Sequence, residues 1–164
     1  MSNRGVPILG EVFNGSANYS GNAHEATNKS LGEETLVWTI GYGGRSKEEF
    51  MEAVRKNGIQ VLIDVRRFPR SKTLNFCRGE LEKWLNEEGI EYVWLGEELG
   101  GYRRGGYKRH METVDFERGI RTILRFVRER TVAVMCVESK GRCCHRSFIA
   151  DRLRKEGIRV QDIE

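Results

Sequence analysis

The chain has 164 residues, the size of one ordinary domain. Hydrophobic residues make up 38% of it and charged residues 32%, with only two prolines and no apolar run of membrane-spanning length, which excludes collagen-like, coiled-coil and membrane classes. The formal net charge of +4, from 28 basic and 24 acidic residues, is too small by itself to indicate an anionic partner.

Residues 1–34 are predicted to form a flexible or irregular N-terminal segment, because Asn, Gly and Ser are interleaved there without sustained periodicity. No apolar stretch follows Arg4, as a signal peptide would require. The four cysteines, Cys77, Cys136, Cys143 and Cys144, lack the spaced pattern of a secreted disulfide framework. We therefore expect a cytoplasmic protein with no membrane partner.

Residues 35–164 alternate short apolar runs with amphipathic segments, which predicts one α/β domain. The predicted strands are 36–40, 61–63, 92–95, 132–136 and 158–163. A capping box at Ser46 and Glu49 opens the first helix, and Gly58, Gly89 and Gly157 end three of the four helices. Continuously apolar strands separated by helices indicate a three-layer α/β fold, with a mainly parallel sheet of about five strands and helices on both faces.

Polar residues and glycines concentrate after four of the predicted strands, in segments 41–45, 64–66, 96–110 and 136–146. Ligands of parallel sheets bind outside the carboxyl ends of the strands. The sequence therefore predicts a binding or catalytic site at that edge of the sheet.

The first two of these segments each have two interpretations. Gly41, Gly43 and Gly44 could bring backbone amides close to a phosphate, or could form a tight turn between strand and helix. Asp64 and Arg66 point the same way from a strand end, which fits either a functional carboxylate beside a guanidinium or an internal salt bridge.

The segment after the fourth strand contains the most chemically reactive side chains. Cys136, Glu138, Cys144, His145 and Arg146 could supply a nucleophile, an acid or base and an anion clamp, with the last three expected in the first turn of the next helix. Cys136 could equally be a small buried hydrophobic residue. Metal binding by these cysteines, with Cys143, and the histidine is disfavoured because vicinal cysteines lack the C-x₂₋₄-C spacing of structural zinc sites, and we predict no metal.

A sulfurtransferase is a further alternative. Cys136 and Arg142 form a C-x₅-R pattern between a strand and a helix, and residues 61–66 resemble the rhodanese strand before its conserved acid and arginine. Glu138 inside the proposed anion loop counts against this function, as does Met135 where a cysteine phosphatase has histidine.

Five separated motifs over residues 36–164 resemble the family called domain of unknown function four hundred and eighty-eight. They are Thr39-Ile40-Gly41-Tyr42, Asp64-Val65-Arg66 with Pro69, Leu99-Gly100-Gly101, Cys136-x-Glu138, and Cys144-His145-Arg146 with Ser147. The family more often has histidine in the place of Tyr42, and it treats position 142 as a variable loop position. The resemblance implies an α/β fold and a site at these motifs, without an established reaction.

Two basic loops follow strand ends and contain no acid. Aromatic residues stand among the basic ones, as in grooves that bind a nucleotide or a single nucleic-acid strand. The loops contain Arg66, Arg67, Arg70, Lys72 and Arg78 with Phe68 and Phe76, and Arg103, Arg104, Lys108 and Arg109 with Tyr102 and Tyr107. Alternatively, they only offset the acidic helices nearby.

Together these patterns predict an enzyme that acts on a nucleotide, a nucleic acid or another phosphorylated substrate; the alternatives are a non-catalytic nucleic-acid-binding module and a rhodanese-like sulfurtransferase using Cys136. The sequence indicates neither a cofactor nor an oligomeric state. The catalytic candidates are Asp64, Glu138, Cys136, Cys144 and His145. The substrate-binding candidates are Gly41, Tyr42, Arg66, Arg67, Arg103, Arg104, Tyr107, Arg146 and Ser147.

Overall fold

The computed structural model describes residues 35–138 and 144–164, which form a three-layer α/β fold as predicted. The sheet order is β3-β2-β4-β1-β5, and all its strands are parallel. The strands are β1 (Leu36–Gly41), β2 (Val61–Asp64), β3 (Glu91–Trp94), β4 (Val132–Cys136) and β5 (Arg159–Ile163). The helices are α1 (Lys47–Lys56), α2 (Arg78–Glu87), α3 (Gly96–Leu99), α4 (Tyr107–His110), α5 (Val114–Val127) and α6 (Arg146–Lys155), with a 3-10 helix at Leu74–Phe76. The predicted N-terminal segment, residues 1–34, lies outside the described residues.

Two apolar layers cover the sheet because both faces of its central strands are buried. Val61, Ile63 and Val65 pack with α5 and α6, whereas Leu62 packs with α1 and α2 on the other face. Every residue of β2 and of β4 is buried, as continuously apolar runs predict for central parallel strands. The carboxyl ends of these strands therefore share one edge.

Helix α1 illustrates how local sequence sets an element. The Ser46 hydroxyl accepts a hydrogen bond from the Glu49 amide, and the Glu49 carboxylate accepts one from the Ser46 amide at 2.7 Å, which confirms the capping box. Three apolar residues of the helix face the sheet, and Gly58 turns the chain back with a φ of +61°. The helix therefore begins and ends where the sequence predicts.

The segment 96–110 differs from the prediction of a single loop, since it contains the one-turn helices α3 and α4. Leu99 anchors α3 in the core with no exposed surface, and the Arg103 Nε atom donates to the Gly100 carbonyl at 2.8 Å. These contacts fold a segment whose composition alone favours a loop. In addition, Cys144 and His145 precede α6 rather than occupying its first turn. Within residues 35–138 and 144–164, no helix is both long enough and apolar enough to traverse a bilayer.

Candidate active site and nucleic-acid interface

The sheet separates the candidate site residues into two groups. Side chains alternate between the faces of a strand, so Asp64 and Arg66 belong to the α1 and α2 face whereas Val65 belongs to the α5 and α6 face. Cys136 ends β4 on the same face as Val65. The two groups are therefore different environments at one edge of the sheet.

The first group is a buried ion pair between Asp64 and Arg66, with 0% and 3% of their side chains exposed. The Arg66 Nη2 atom lies 2.6 Å from Asp64 Oδ2, and Arg66 Nη1 donates to the Phe76 carbonyl at 2.7 Å. The Tyr92 hydroxyl donates to Asp64 Oδ2 at 2.7 Å. The internal salt bridge of the sequence analysis is therefore present, and its hydrogen bonds hold the segment after β2 in place.

The surroundings of Asp64 keep the Arg66 guanidinium charged and the Tyr92 hydroxyl neutral. Burial lowers the pKa of Arg66, but the hydrogen bond and negative charge of Asp64 raise it further, so the guanidinium stays charged. Burial and the Asp64 carboxylate both raise the pKa of Tyr92. Tyr92 thus stays a neutral donor, and the Asp64 carboxylate is saturated with hydrogen bonds.

The segment after β1 is a hydrogen-bonded turn packed against the same pair. Tyr42 is 7% exposed and stacks on Phe76 with ring centroids 4.4 Å apart, while the Arg66 guanidinium lies 5.1 Å from the centroid of the Tyr42 ring. The Gly43 amide donates to the Val137 carbonyl at 2.8 Å, and Gly44 has a φ of +80°. The tight-turn interpretation accounts for these glycines, and phosphate binding by them stays a prediction.

The second group combines two thiols and an imidazole. The Sγ atoms of Cys136 and Cys144 and one ring nitrogen of His145 all lie within 4.8 Å of one another. The fold brings them together because β4 ends at Cys136 and α6 begins directly after His145. In the part of the chain that the structure describes, this is the only group of three or more side chains spaced to hold a metal ion.

The two thiols differ in acidity. The neighbouring Cys136 thiol lowers the pKa of Cys144, helped by the Arg146 amide, which donates to the Cys144 sulfur at 3.3 Å. The neighbouring Cys144 sulfur and burial raise the pKa of Cys136, which is 5% exposed. Of the two, Cys144 is therefore the thiol suited to nucleophilic chemistry, whereas Cys136 is buried at the end of β4.

Cys144 and His145 open into a cleft of about 370 Å³, which we call the thiol cleft. The His145 Nε2 atom lies 2.9 Å from the Val65 carbonyl, and burial lowers the pKa of His145. A neutral imidazole that donates through Nε2 has its lone pair at Nδ1. The cleft is lined by Gly101, Tyr102, Arg103, Tyr107, Cys144, His145, Ser147 and Phe148.

Tyr107 forms a wall of the thiol cleft. Its ring centroid lies 5.4 Å from that of His145 and 5.3 Å from that of Phe148. Its hydroxyl donates to the Leu99 carbonyl at 2.7 Å, and burial raises its pKa. Tyr107 therefore shapes the cleft with its ring, while its hydroxyl ties α4 to α3.

Two further clefts adjoin the thiol cleft, and we call them together the basic groove. Both clefts are lined by Arg67 and Arg103. The cleft that contains Arg104 also shares Tyr102 and Arg103 with the thiol cleft. Glu97 is the only acidic residue among their lining residues. The groove is lined by Arg67, Phe68, Pro69, Arg70, Arg78, Trp94, Glu97, Tyr102, Arg103, Arg104, Arg109, His110 and Thr113.

Two aromatic side chains stand exposed in the basic groove. Phe68 is 65% exposed, and Tyr102 is 92% exposed with a φ of +56° that a residue with a side chain seldom adopts. Arg103 is partly buried, and its pKa is lowered by burial and by the positive charge of Arg67. Neighbouring guanidinium groups and exposed rings suit a ligand with phosphates and bases.

Arg146 and Glu138 lie apart from the thiol cleft's lining. The Arg146 side chain is 1% exposed, and its nitrogens have no hydrogen-bond partner among the described residues; its Nη2 atom is 3.7 Å from Asp162 Oδ1. It lines a separate cleft with Thr39 and Asp162, which Ser147 also borders. Glu138 is exposed after β4, and Cys143 lies outside the described residues.

The sequence did not predict the roles of several residues at the site. Tyr92 and Trp94 support Asp64 and Arg66 through hydrogen bonds from β3, and Thr39 and Asp162 border the Arg146 guanidinium from neighbouring strands. Thr39 belongs to the first motif without an assigned role, and no motif marks the other three, because their roles arise from the pairing of strands distant in sequence. The β-strand alternation of 91–94 is the only local signal that would have suggested an inward-pointing Tyr92.

The comparisons with known proteins support the family that the motifs resemble, over a range that begins after the first motif, Thr39-Ile40-Gly41-Tyr42. A family model described as Domain of unknown function DUF488 matches residues 46–153. No curated protein and no solved structure matches the chain significantly. The matched range runs from the capping residue of α1 into α6 and includes both the buried ion pair and the thiol cleft. The chain therefore belongs to the DUF488 family.

Proposed function

We propose that this protein is an enzyme that binds a single nucleic-acid strand along the basic groove and acts on it in the thiol cleft. The observation that carries the proposal is the continuity between the two, since Tyr102 and Arg103 line both. The described residues that line the thiol cleft and the cleft beside it include no acid, so a nucleic-acid strand bound to the arginines there would reach Cys144 and His145 without passing a carboxylate.

The chemistry of the groove favours binding of single-stranded nucleic acid over a duplex. Exposed aromatic rings stack on unpaired bases, and stacking contributes about 1–3 kcal/mol per base. Phe68 lines one cleft of the groove and Tyr102 lines the other, while Arg67 and Arg103 line both, so bases and phosphates could alternate along the groove. Duplex recognition would instead need an element that enters a groove of the nucleic acid.

The test measures binding of a fluorescently labelled single-stranded oligonucleotide by anisotropy at two salt concentrations. Arg104→Gln should weaken binding and reduce the salt slope by about one, because each phosphate contact releases counterions. Tyr102→Ala should weaken binding about fivefold or more. Arg121→Gln on the exposed surface of α5 removes the same charge outside the groove and is the matched control.

Two results would overturn strand binding: no association at low salt, or an equal loss in Arg104→Gln and Arg121→Gln. Catalysis is tested by mass spectrometry of the oligonucleotide after incubation. An altered strand that requires His145 supports the enzyme, whereas a strand that is bound and recovered unchanged favours the non-catalytic binding module. Glu138→Gln should leave binding intact in either case, since Glu138 does not line the groove.

A sulfurtransferase that uses Cys136 receives less support. The Cys136 thiol is buried, its pKa is raised, and it does not line the thiol cleft. Absence of sulfur transfer from thiosulfate to cyanide by the parent protein would dismiss this alternative.

A further inference from the structure

We propose that Cys136, Cys144 and His145 bind one zinc ion and leave a fourth coordination position open to the thiol cleft. The proposal deepens the proposed function by naming the centre in the cleft, but it rests on ligand geometry rather than on the basic groove. Metal binding and strand binding can therefore succeed or fail separately.

The distances between the three side chains fit a tetrahedral ion. Zinc binds sulfur at about 2.3 Å and imidazole nitrogen at about 2.0–2.1 Å, so two sulfur ligands stand about 3.8 Å apart. The three candidate ligand atoms already lie within 4.8 Å of one another. Cys144 and His145 are only half-buried, so a small movement of their side chains completes the arrangement.

The surroundings of His145 favour a ligand role. A metal-bound histidine normally donates its other ring N–H to a carbonyl or carboxylate. Here the Val65 carbonyl lies 2.9 Å from Nε2, which leaves the Nδ1 lone pair for an ion. A β-carbon at Gly101 would lie 3.0 Å from Nδ1, so glycine at this position keeps that nitrogen uncovered.

Among the described residues, the cluster is closed on one side and open on the other. Cys136 is 5% exposed at the end of β4, whereas Cys144 and His145 line the thiol cleft. Three protein ligands with one accessible position are the arrangement of catalytic rather than structural zinc sites. A zinc ion in such a site supplies a Lewis acid and an activated water.

Charge balance also fits zinc. Two thiolates and a neutral imidazole neutralise a divalent cation, so the bound centre carries no net charge into its partly buried surroundings. Sulfur and imidazole ligands select zinc over magnesium or calcium, which prefer oxygen. The cysteines lack the C-x₂₋₄-C spacing along the chain, but the fold joins the end of β4 to the residues just before α6.

The experiment titrates the reduced, chelator-treated full chain with Co²⁺ under anaerobic conditions. One equivalent should produce thiolate-to-cobalt charge-transfer absorption and the visible bands of tetrahedral Co²⁺. One equivalent of Zn²⁺ should then displace the cobalt, because nitrogen and sulfur sites bind zinc more tightly. Zn²⁺ should also raise the thermal unfolding midpoint of the parent protein.

Variants identify the ligands. Cys144→Ser and His145→Gln should lose the charge-transfer band or bind Co²⁺ more than about 100-fold more weakly, beyond the effect of losing a supporting residue. Both positions are half-buried, so these variants, checked by circular dichroism, keep the test decisive if Cys136→Ser does not fold. Cys77→Ser is the control, since Cys77 lies against the Ser71 carbonyl outside the cluster.

Three outcomes would overturn the proposal. The first is the absence of stoichiometric binding by the reduced parent protein, and the second is full binding by Cys144→Ser. The third is loss of binding in Cys143→Ser, which would mean that the coordination position assigned to the cleft is filled by another cysteine. Strand binding measured on the metal-free protein keeps this result separate from the proposed function.

Discussion

Asp64 accepts hydrogen bonds from both Arg66 and Tyr92 in a place where neither charge of the ion pair reaches water. A buried ion pair adds little net stability compared with apolar residues, but removal of one partner leaves the other charge buried and unpaired. The main role of the pair is therefore to hold the segment after β2 in its conformation. This segment places Arg67 and Phe68 in the basic groove.

Asp64→Asn should lower the free energy of unfolding by about 3–5 kcal/mol, because it leaves the Arg66 guanidinium without its counter-charge. Glu88→Gln makes the same chemical change in the pair between Glu88 and Arg55, whose side chains are 38% and 58% exposed. That control should change stability far less, because water screens the exposed pair. Urea unfolding of both variants is the measurement, and similar losses in the two would contradict a structural role for Asp64.

Among the elements, α3 and α5 show how glycine sets a packing distance. Gly119 lies in α5 against α3, and an added β-carbon would stand 2.6 Å from Leu99 Cγ and 2.9 Å from Glu98 Cβ. Leu99 is fully buried and has no room to withdraw. The close approach keeps the segment 96–110 beside the sheet edge, where it forms the groove and the thiol cleft.

Gly119→Ala should therefore destabilise the protein by about 1–3 kcal/mol through overpacking, against a gain of about 1 kcal/mol from helix propensity. Gly79→Ala is the matched control, because Gly79 lies in α2 and an added β-carbon meets nothing within 4 Å. The control should be neutral or stabilising by up to about 1 kcal/mol. Thermal or urea unfolding tests both, and stabilisation by Gly119→Ala would refute the packing argument.

For the whole molecule, the pKa of His110 makes the stability of the fold depend on pH. Burial lowers the pKa of His110, with a further contribution from the positive charge of Arg103, while its hydrogen bond to the Glu98 carbonyl raises the pKa less. The unfolded chain therefore binds a proton more readily than the folded one. Stability should be highest above the ordinary histidine pKa of about 6.5 and should fall as the pH drops below it.

His110→Gln should reduce this loss between pH 7 and pH 5, by at most about 1.4 kcal/mol per pH unit for one titrating group. Urea unfolding at three pH values in this window, with a chelator present so that metal does not bind His145, gives the slope. The slope is the decisive quantity, because the substitution also changes stability at every pH. An unchanged slope would show that His110 does not carry the effect.

Much of the fold could be predicted from local patterns. The capping box at Ser46, the glycines that end the helices and the apolar run 132–136 act through neighbouring residues, so α1 and β4 have the predicted limits. The segment 96–110 could not be predicted, because α3 and α4 depend on Leu99 packing in the core and on Gly119 in a distant helix.

The candidate site was also predicted only in part from the sequence. The residue types, and their concentration after the strands, follow from the sequence by itself, because parallel strands bring their carboxyl ends to one edge. Only the tertiary structure decides that Asp64 and Arg66 belong to one face of the sheet while Cys136, Cys144 and His145 meet on the other. The physical reason is that strand alternation and helix packing assign each side chain to a face, and these depend on pairings between segments far apart in the chain.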